Sequence, residues 1–153
     1  MSVESKLREL GLELPPAPKP VASYQAFVQT GNLLFISGQL PFEAGRLRYA
    51  GKLGADVTDA DGYAAARLCA LNALAQIQAA LGGFDRLDRI VRVDGHINCT
   101  PEWTNHPQVL NGASDLFAAV LGEKAGHART VFGQNQLPLN ATVELVMIAA
   151  VKQ

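Results

Sequence analysis

The segment TVELVMIAAV, residues 142–151, restricts the fold more strongly than any other part of the chain. Every second residue from Val143 to Val151 is apolar, and the alternate series is apolar as well except at Glu144. Because side chains of a strand alternate between its two faces, this segment predicts a strand that is apolar on both faces. Strands of that kind are covered on both sides. We therefore expect the protein to bury this segment between two layers.

Glu144 needs a partner, because burying an ionised carboxylate is costly unless it is paired or hydrogen-bonded. Arg129, in the preceding predicted strand, is one candidate. Residues 133–140 lie between the two, and their Gln-Asn-Gln, Leu-Pro and Asn residues indicate a loop long enough to wrap a small ligand. Two interpretations stay open: a structural Arg129–Glu144 ion pair, or a binding site that uses both residues.

Strands and helices are interleaved along the rest of the chain, and the residues before 21 form a short helix and a proline-rich arm. Asn72 fits the polar boundary of the long helix, so we attach no functional role to it. The predicted strands span residues 26–31, 33–39, 46–49, 90–99 and 142–151, with a further strand around Arg129. The predicted helices run from Ser2 to Leu10, from a cap at Asp59 or Asp61 to Leu81, and from Pro107 to a stop at Gly122.

This order of elements predicts an α+β fold, with a β-sheet that carries the two long helices on one face. Apart from the short N-terminal helix, no third helix-sized segment is left to cover the opposite face. The most economical cover is another subunit, because strands that are apolar on both sides would otherwise expose a large apolar surface.

Composition and charge limit the class of protein further. A chain of 153 residues with 48% hydrophobic and 18% charged residues predicts one domain over residues 1–153, with residues 1–20 as its helix and arm. The net charge of −1 makes nucleic acid an unlikely partner. The N-terminus has no signal-like apolar region, and no run reaches the ~18 apolar residues of a membrane span. A soluble, cytoplasmic protein is expected.

Several kinds of chemistry have no support in the sequence. The three histidines lack the ligand spacing of a metal site, so no metal is expected. The glycines do not form a phosphate-binding loop before a helix, which argues against a nucleotide cofactor. Cys69 and Cys99 are expected to be reduced, and Ser37 has no base within predictable reach. An arginine, a glutamate and backbone donors remain. An arginine binds a carboxylate bidentately, and a nearby glutamate activates a water.

Two motifs together resemble the RidA/YjgF family, whose members hydrolyse enamine or imine intermediates of amino acids. The match spans Tyr24 to Val151 and is specific as a set, although each motif alone is weak. The first motif comprises Tyr24, Gly31-Asn32 and Ser37-Gly38-Gln39-Leu40-Pro41, and the second comprises Ala128-Arg129-Thr130, Leu137-Pro138 and Val143-Glu144 through Ile148-Ala149, with Asn111 as a further match in the second long helix.

The resemblance implies a chorismate-mutase-like α+β fold and a homotrimer whose sheets form a central β-barrel with sites at the subunit clefts. It implies that Arg129 grips the substrate carboxylate and Glu144 orients the attacking water, without a cofactor. Gly38 would offer a backbone donor, and Tyr24 would close the pocket from a neighbouring subunit. The implied substrate-binding residues are Tyr24, Ser37, Gly38, Asn111, Thr130 and Val131.

Departures from the family pattern indicate a divergent subgroup. They are the proline-rich arm, a longer loop at residues 103–108, and Val131 where many archetypal members carry cysteine. The leading hypothesis is a deaminase of 2-imino or enamine acids that releases a 2-keto acid and ammonia. The alternatives are a regulatory trimer that binds small carboxylates without catalysis, and a ribonuclease in which His127 near Arg129 takes part.

Overall fold

The computed structural model describes all 153 residues, and it has the predicted α+β architecture. The chain has seven strands and three helices, of which the helices and six of the strands follow one another in the predicted order, and five of the strands form one mixed sheet in the order β1-β2-β7-β5-β6. The strands are β1 (Phe27–Thr30), β2 (Leu33–Gln39), β3 (Phe42–Glu43), β4 (Arg46–Leu47), β5 (Leu87–Asn98), β6 (Ala128–Gln134) and β7 (Val143–Val151). The helices are α1 (Val3–Glu9), α2 (Asp59–Leu81) and α3 (His106–Leu121), with short 3₁₀ helices at Gly122–Ala125 and Pro138–Asn140.

Strand β7 lies at the centre of the sheet, as its two apolar faces require. It pairs antiparallel with β2 on one side and with β5 on the other. Val143, Leu145 and Met147 are at most 1% exposed and belong to the main core, which lies between the sheet and the helices. Glu144 and Val146 alternate with them and are half-buried on the opposite face.

Helices α2 and α3 pack against each other on one face of the sheet. Gly112 of α3 permits this close packing, because a Cβ at that position would lie 2.1 Å from the Tyr63 carbonyl oxygen of α2.

The cap of α2 differs from the prediction. The side chain of Thr58 caps the helix by accepting from the Asp61 backbone N–H at 3.1 Å, so Asp59 and Asp61 occupy the first turn, where their charges favour the helix dipole.

Asn72 is not at a polar boundary of α2. It is 1% exposed, and its side-chain amide donates to the carbonyls of Leu40 and Phe42 at 3.0 Å each. The residue therefore ties α2 to the segment that follows β2.

By length and composition α2 resembles a membrane span, but 61% of its most apolar window is buried inside the domain, as expected of a core helix.

The N-terminal segment is attached to the helical layer. Ser2 caps α1 as predicted, and Leu7 of that helix is 1% exposed within the main core. The proline-rich arm follows in an extended conformation, and Gln76 of α2 donates to the Pro18 carbonyl oxygen at 2.7 Å. This bond fixes the arm beside the end of β2.

The sheet face opposite the helices is uncovered within one chain, and we call it the open face. Its apolar side chains include Val28 and Phe35, which are 52% and 40% exposed and lie on paired positions of β1 and β2. Ile148 of β7 is paired with Phe35 and continues this apolar band. An apolar sheet surface of this kind marks an interaction site.

Candidate active site

Four of the predicted site residues line one cleft, which we call the Glu144 cleft. Its volume is about 490 Å³, and Tyr24, Ser37, Gly38 and Glu144 all contribute to its lining. The arm forms another wall through residues 18–22, which the sequence analysis did not assign to the site. The arm was missed because its contact with the end of β2 depends on the buried Gln76 bond and not on any local pattern.

Gly38 lies directly beneath the Glu144 carboxylate. A Cβ at position 38 would lie 2.9 Å from the carboxyl carbon of Glu144 and 2.9 Å from its Oε1. The pairing of β2 with β7 shifts register between Ile36 and Gln39, so the strand bulges at this glycine. The bulge and the missing side chain together allow the carboxylate to lie across β2.

Ser37 has a structural hydrogen bond. Its hydroxyl donates to the Gln25 carbonyl oxygen at 2.6 Å, and its backbone N–H donates to Ala26 at 2.9 Å. These bonds hold residues 25 and 26, which follow the arm, against β2. Ser37 therefore lines the cleft, while its hydroxyl proton is committed to the protein.

Burial raises the pKa of the Glu144 carboxyl above its usual value, and His96 on the neighbouring strand partly offsets the effect. His96 is directly opposite Glu144 in the β5–β7 pairing. A carboxylate with a raised pKa is a better proton acceptor than an ordinary glutamate, which suits it to activate a water.

Arg129 lies on β6 and forms a second group with residues of α3, which we call the Arg129 cluster. Its Nη1 donates to Asn111 Oδ1 at 2.8 Å and to Ser114 Oγ at 3.1 Å, and its Nη2 donates to the Pro107 carbonyl at 3.4 Å. A guanidinium has five N–H donors, and these three bonds use three of them. The Nε–H and one N–H of Nη2 are left without an acceptor in the chain. These two donors form the edge that binds a carboxylate bidentately.

Arg129 and Glu144 are not an ion pair within one chain, so the structural interpretation of the two residues is wrong for the subunit. Strand β5 separates β6 from β7 in the sheet. Arg129 is paired in register with Val93, which faces the helices, whereas Glu144 is paired with His96 on the open face. The two ion pairs of the chain are Arg48–Glu43 and Arg92–Asp94.

The remaining predicted residues divide between the two faces. Asn111 belongs to the Arg129 cluster. Thr130 lies on the open face, where its hydroxyl accepts from Arg92 Nη2 at 2.8 Å, and Val131 packs against the main core. Neither Thr130 nor Val131 lines the Glu144 cleft.

Ser114 is a residue of the Arg129 cluster that the sequence analysis missed. It follows Asn111 by three positions on α3, a spacing that places both side chains on the same face of a helix. That spacing was the available signal. The predicted group of eight residues is therefore brought together only in part, on two faces of one sheet.

No group of three His, Cys, Asp or Glu side chains converges to hold a metal ion. Cys69 and Cys99 are free thiols, and burial raises the pKa of both.

Comparison with known proteins gives the same class. Residues 4–151 match the family model described as YjgF/chorismate mutase-like, putative endoribonuclease. The chain is 44% identical to Protein TCP17 of Trypanosoma cruzi over 144 residues. This match covers 94% of this chain and 90% of the relative. Its sequence is also 44% identical to that of Atu1372 from Agrobacterium tumefaciens, a protein of unknown function whose crystal structure is known. Those two structures superpose with a TM-score of 0.93 over 98% of this chain and 92% of the other.

A more distant structure is E. coli TdcF with bound serine. It is 23% identical, with a TM-score of 0.65 over 88% of this chain and 93% of that chain, and this likeness shows the fold alone. The five-stranded sheet, the paired helices and the two polar groups define a protein of the chorismate-mutase-like α+β class. The chain belongs to the YjgF family, as the two sequence motifs implied.

Proposed function

We propose that this protein is a hydrolytic deaminase of 2-imino and enamine acids. The proposal rests chiefly on the Arg129 cluster, which leaves a bidentate guanidinium edge free for a carboxylate. A substrate with one carboxylate and a reactive carbon beside it suits such an anchor.

We further propose that the protein is a homotrimer and that each site combines two subunits. Arg129 faces the helices and Glu144 faces the open side of the sheet, so one chain does not bring them to the same substrate. An adjacent subunit that packs its helical edge against the Glu144 cleft would unite them. The apolar band on the open face supports this assembly, because burying it removes apolar surface from water.

The proposed reaction needs no cofactor. Arg129 holds the carboxylate of the imine, while Glu144 accepts a proton from a water that attacks the adjacent imine carbon. The water oxygen bonds to that carbon and the nitrogen takes up a proton, which gives a carbinolamine. The hydroxyl proton of the carbinolamine then passes to the nitrogen, the carbon–nitrogen bond breaks as the carbon–oxygen double bond forms, and ammonia and the 2-keto acid are released. Enamine substrates enter through their imine tautomers.

The test is to generate imines in situ with an amino-acid oxidase and to follow how fast the added protein removes them. Arg129→Ala should lower the rate about 30- to 1000-fold, because the substrate loses a bidentate, charge-assisted contact. The melting temperature should change little, since Arg129 pairs with no carboxylate in its own chain. Arg129→Lys keeps the charge without the planar fork and should recover little activity.

The same assay separates the alternatives. A wild-type protein that binds pyruvate but removes no imine would be the non-catalytic carboxylate-binding trimer. Full imine turnover by Arg129→Ala would contradict the proposed anchor. Ribonuclease chemistry is disfavoured, because both ring nitrogens of His127 are already hydrogen-bonded within the protein and the net charge is −1.

A further inference from the structure

Ser114 and His127 form a chain of hydrogen bonds behind Arg129. The Nδ1 atom of His127 is 2.5 Å from the Ala125 carbonyl oxygen, and its Nε2 is 3.0 Å from Ser114 Oγ. A carbonyl oxygen accepts only, so the proton of the neutral imidazole resides on Nδ1. Nε2 is then the acceptor, and the Ser114 hydroxyl donates to it. The lone pairs of Ser114 Oγ are left for Arg129 Nη1, which donates at 3.1 Å.

The chain determines which way the serine hydroxyl points. Serine within a helix often donates its hydroxyl proton to the carbonyl one turn back, which for Ser114 belongs to Leu110. The imidazole of His127 competes for that proton and directs it sideways. Both hydrogens of Arg129 Nη1 are then committed, one to Ser114 and the other to Asn111 at 2.8 Å.

We propose that Ser114 and His127 are positioning residues for Arg129, which hold its guanidinium so that the Nε and Nη2 edge faces a planar, bidentate carboxylate. The ligand class is thereby restricted to small carboxylates. The proposal rests on the proposed function only in treating the bound carboxylate as the substrate. Neither residue contacts the reacting atoms.

Ser114 is placed to position Arg129 and not to act as a nucleophile. It lies in the middle of α3, where backbone N–H groups are bonded to the preceding turn and none is left to stabilise an oxyanion. Its oxygen also accepts a hydrogen bond from a cation, which lowers its nucleophilicity. The Ser114–His127 pair therefore lacks the surroundings of a catalytic dyad.

The first test is spectroscopic and needs no substrate. Long-range ¹H–¹⁵N spectra of the intact protein should show His127 with a protonated Nδ1 and an unprotonated Nε2. The Nε–H resonance of Arg129 should be sharp in the wild type and should broaden or exchange faster in His127→Phe. The phenyl ring preserves the edge contact with Phe117, whose ring centroid is 6.1 Å from that of the imidazole. A Nε2–H tautomer, or an unchanged Arg129 resonance, would overturn the proposal.

The second test measures pyruvate binding by calorimetry. His127→Phe and Ser114→Ala should each weaken binding about three- to tenfold, the range expected for losing one neutral hydrogen bond. The double variant should be no weaker than either single variant, because both changes interrupt the same chain. His127→Gln retains an acceptor toward Ser114 and should restore most of the affinity. Additive losses, or no rescue by glutamine, would contradict the proposal.

A matched control lies on the same helix. Tyr63→Phe removes the bond from the Tyr63 hydroxyl to Asp115, which follows Ser114 on α3, and should leave pyruvate affinity unchanged. In the imine assay, His127→Phe should raise KM by the same factor as Kd and leave kcat nearly constant. Wild-type protein that binds pyruvate but has no turnover would refute the deaminase alone, whereas wild-type affinity in His127→Phe would refute the positioning role alone.

Discussion

At the scale of single residues, the site depends on one glycine and one carboxyl group placed against each other. Gly38 has no side chain to meet Glu144, and burial raises the pKa of that carboxyl. The sequence identified both residues through their motifs. It did not reveal their mutual contact, because that contact follows from the bulge between Ile36 and Gln39 and from the pairing of two distant strands.

Gly38→Ala should impair catalysis far more than folding. The new Cβ would lie 2.9 Å from the Glu144 carboxyl carbon, so the flexible carboxylate would move while the backbone stayed in place. A displacement of about 1 Å costs up to roughly 100-fold in rate, so imine turnover should fall by up to that factor with little change in melting temperature.

The control for this change is Gly126→Ala, where a Cβ would meet nothing closer than 4.0 Å. Its turnover should equal that of the wild type. Wild-type turnover in Gly38→Ala would show that the observed position of Glu144 is not needed.

Glu144→Gln should remove activity and raise stability at neutral pH. Because burial in the folded protein holds the pKa of Glu144 above its usual value, the folded state favours the protonated form. The contribution of Glu144 to stability is therefore largest below the unfolded pKa and is lost as pH rises through the folded pKa. Glutamine avoids this loss, since it carries no charge at any pH.

Urea unfolding of both proteins at pH 4 and pH 8 checks this sign. The stability advantage of Glu144→Gln should be present at pH 8, should shrink as the pH falls through the raised pKa of folded Glu144, and should be absent at pH 4, where an exposed glutamate is also largely protonated. A wild-type protein more stable than the variant at pH 8 would indicate that Glu144 is paired with a cation. Wild-type imine turnover should increase as pH rises through the pKa of Glu144.

At the scale of elements, the periodicity of the sequence predicted the strands and helices, but it did not predict which strands pair. The strand β7 and the alternation of its side chains were predicted correctly, because alternation is a local property of the sequence, whereas the expected cover on its second face is not present within one chain. The separation of Arg129 from Glu144 was not predicted, because it depends on the position of β5 between β6 and β7 in the sheet. Non-local strand order has no signature in the residues themselves. The Thr58 cap was missed because three neighbouring residues, Thr58, Asp59 and Asp61, all suit that position.

The two faces of β7 should respond differently to a charge. Val146 is half-buried on the open face, whereas Met147 is 1% exposed within the main core. Val146→Asp should leave the subunit folded and abolish the assembly, because a buried interface does not tolerate an unpaired carboxylate. Met147→Asp should unfold the subunit itself.

Light scattering and circular dichroism at micromolar concentration separate these outcomes. The wild type should have three times the subunit mass of 16.3 kDa, and Val146→Asp should have the mass of one folded subunit. Trimeric Val146→Asp, or a monomeric wild type, would contradict the proposed use of the open face.

At the scale of the whole molecule, the proposed site is divided between two sheet faces, so the proposed mechanism requires assembly. The Arg129 cluster faces the helical layer, and the Glu144 cleft opens near the opposite face. If each site takes Arg129 from one subunit and Glu144 from its neighbour, a subunit that lacks one group still supplies the other. Two inactive variants should therefore complement each other.

Arg129→Ala and Glu144→Gln should each be nearly inactive alone, and trimers assembled from an equal mixture should regain activity. With random assembly, about one site in four receives its arginine from the Glu144→Gln subunit and its carboxylate from the Arg129→Ala subunit, which gives about a quarter of the wild-type rate. The mixture should be unfolded and refolded together, so that subunits exchange. The double variant mixed with wild type serves as the control, since about a quarter of its sites are also intact. No recovery in the mixture of single variants, with the control at about half of the wild-type rate, would place both groups of each site in the same subunit.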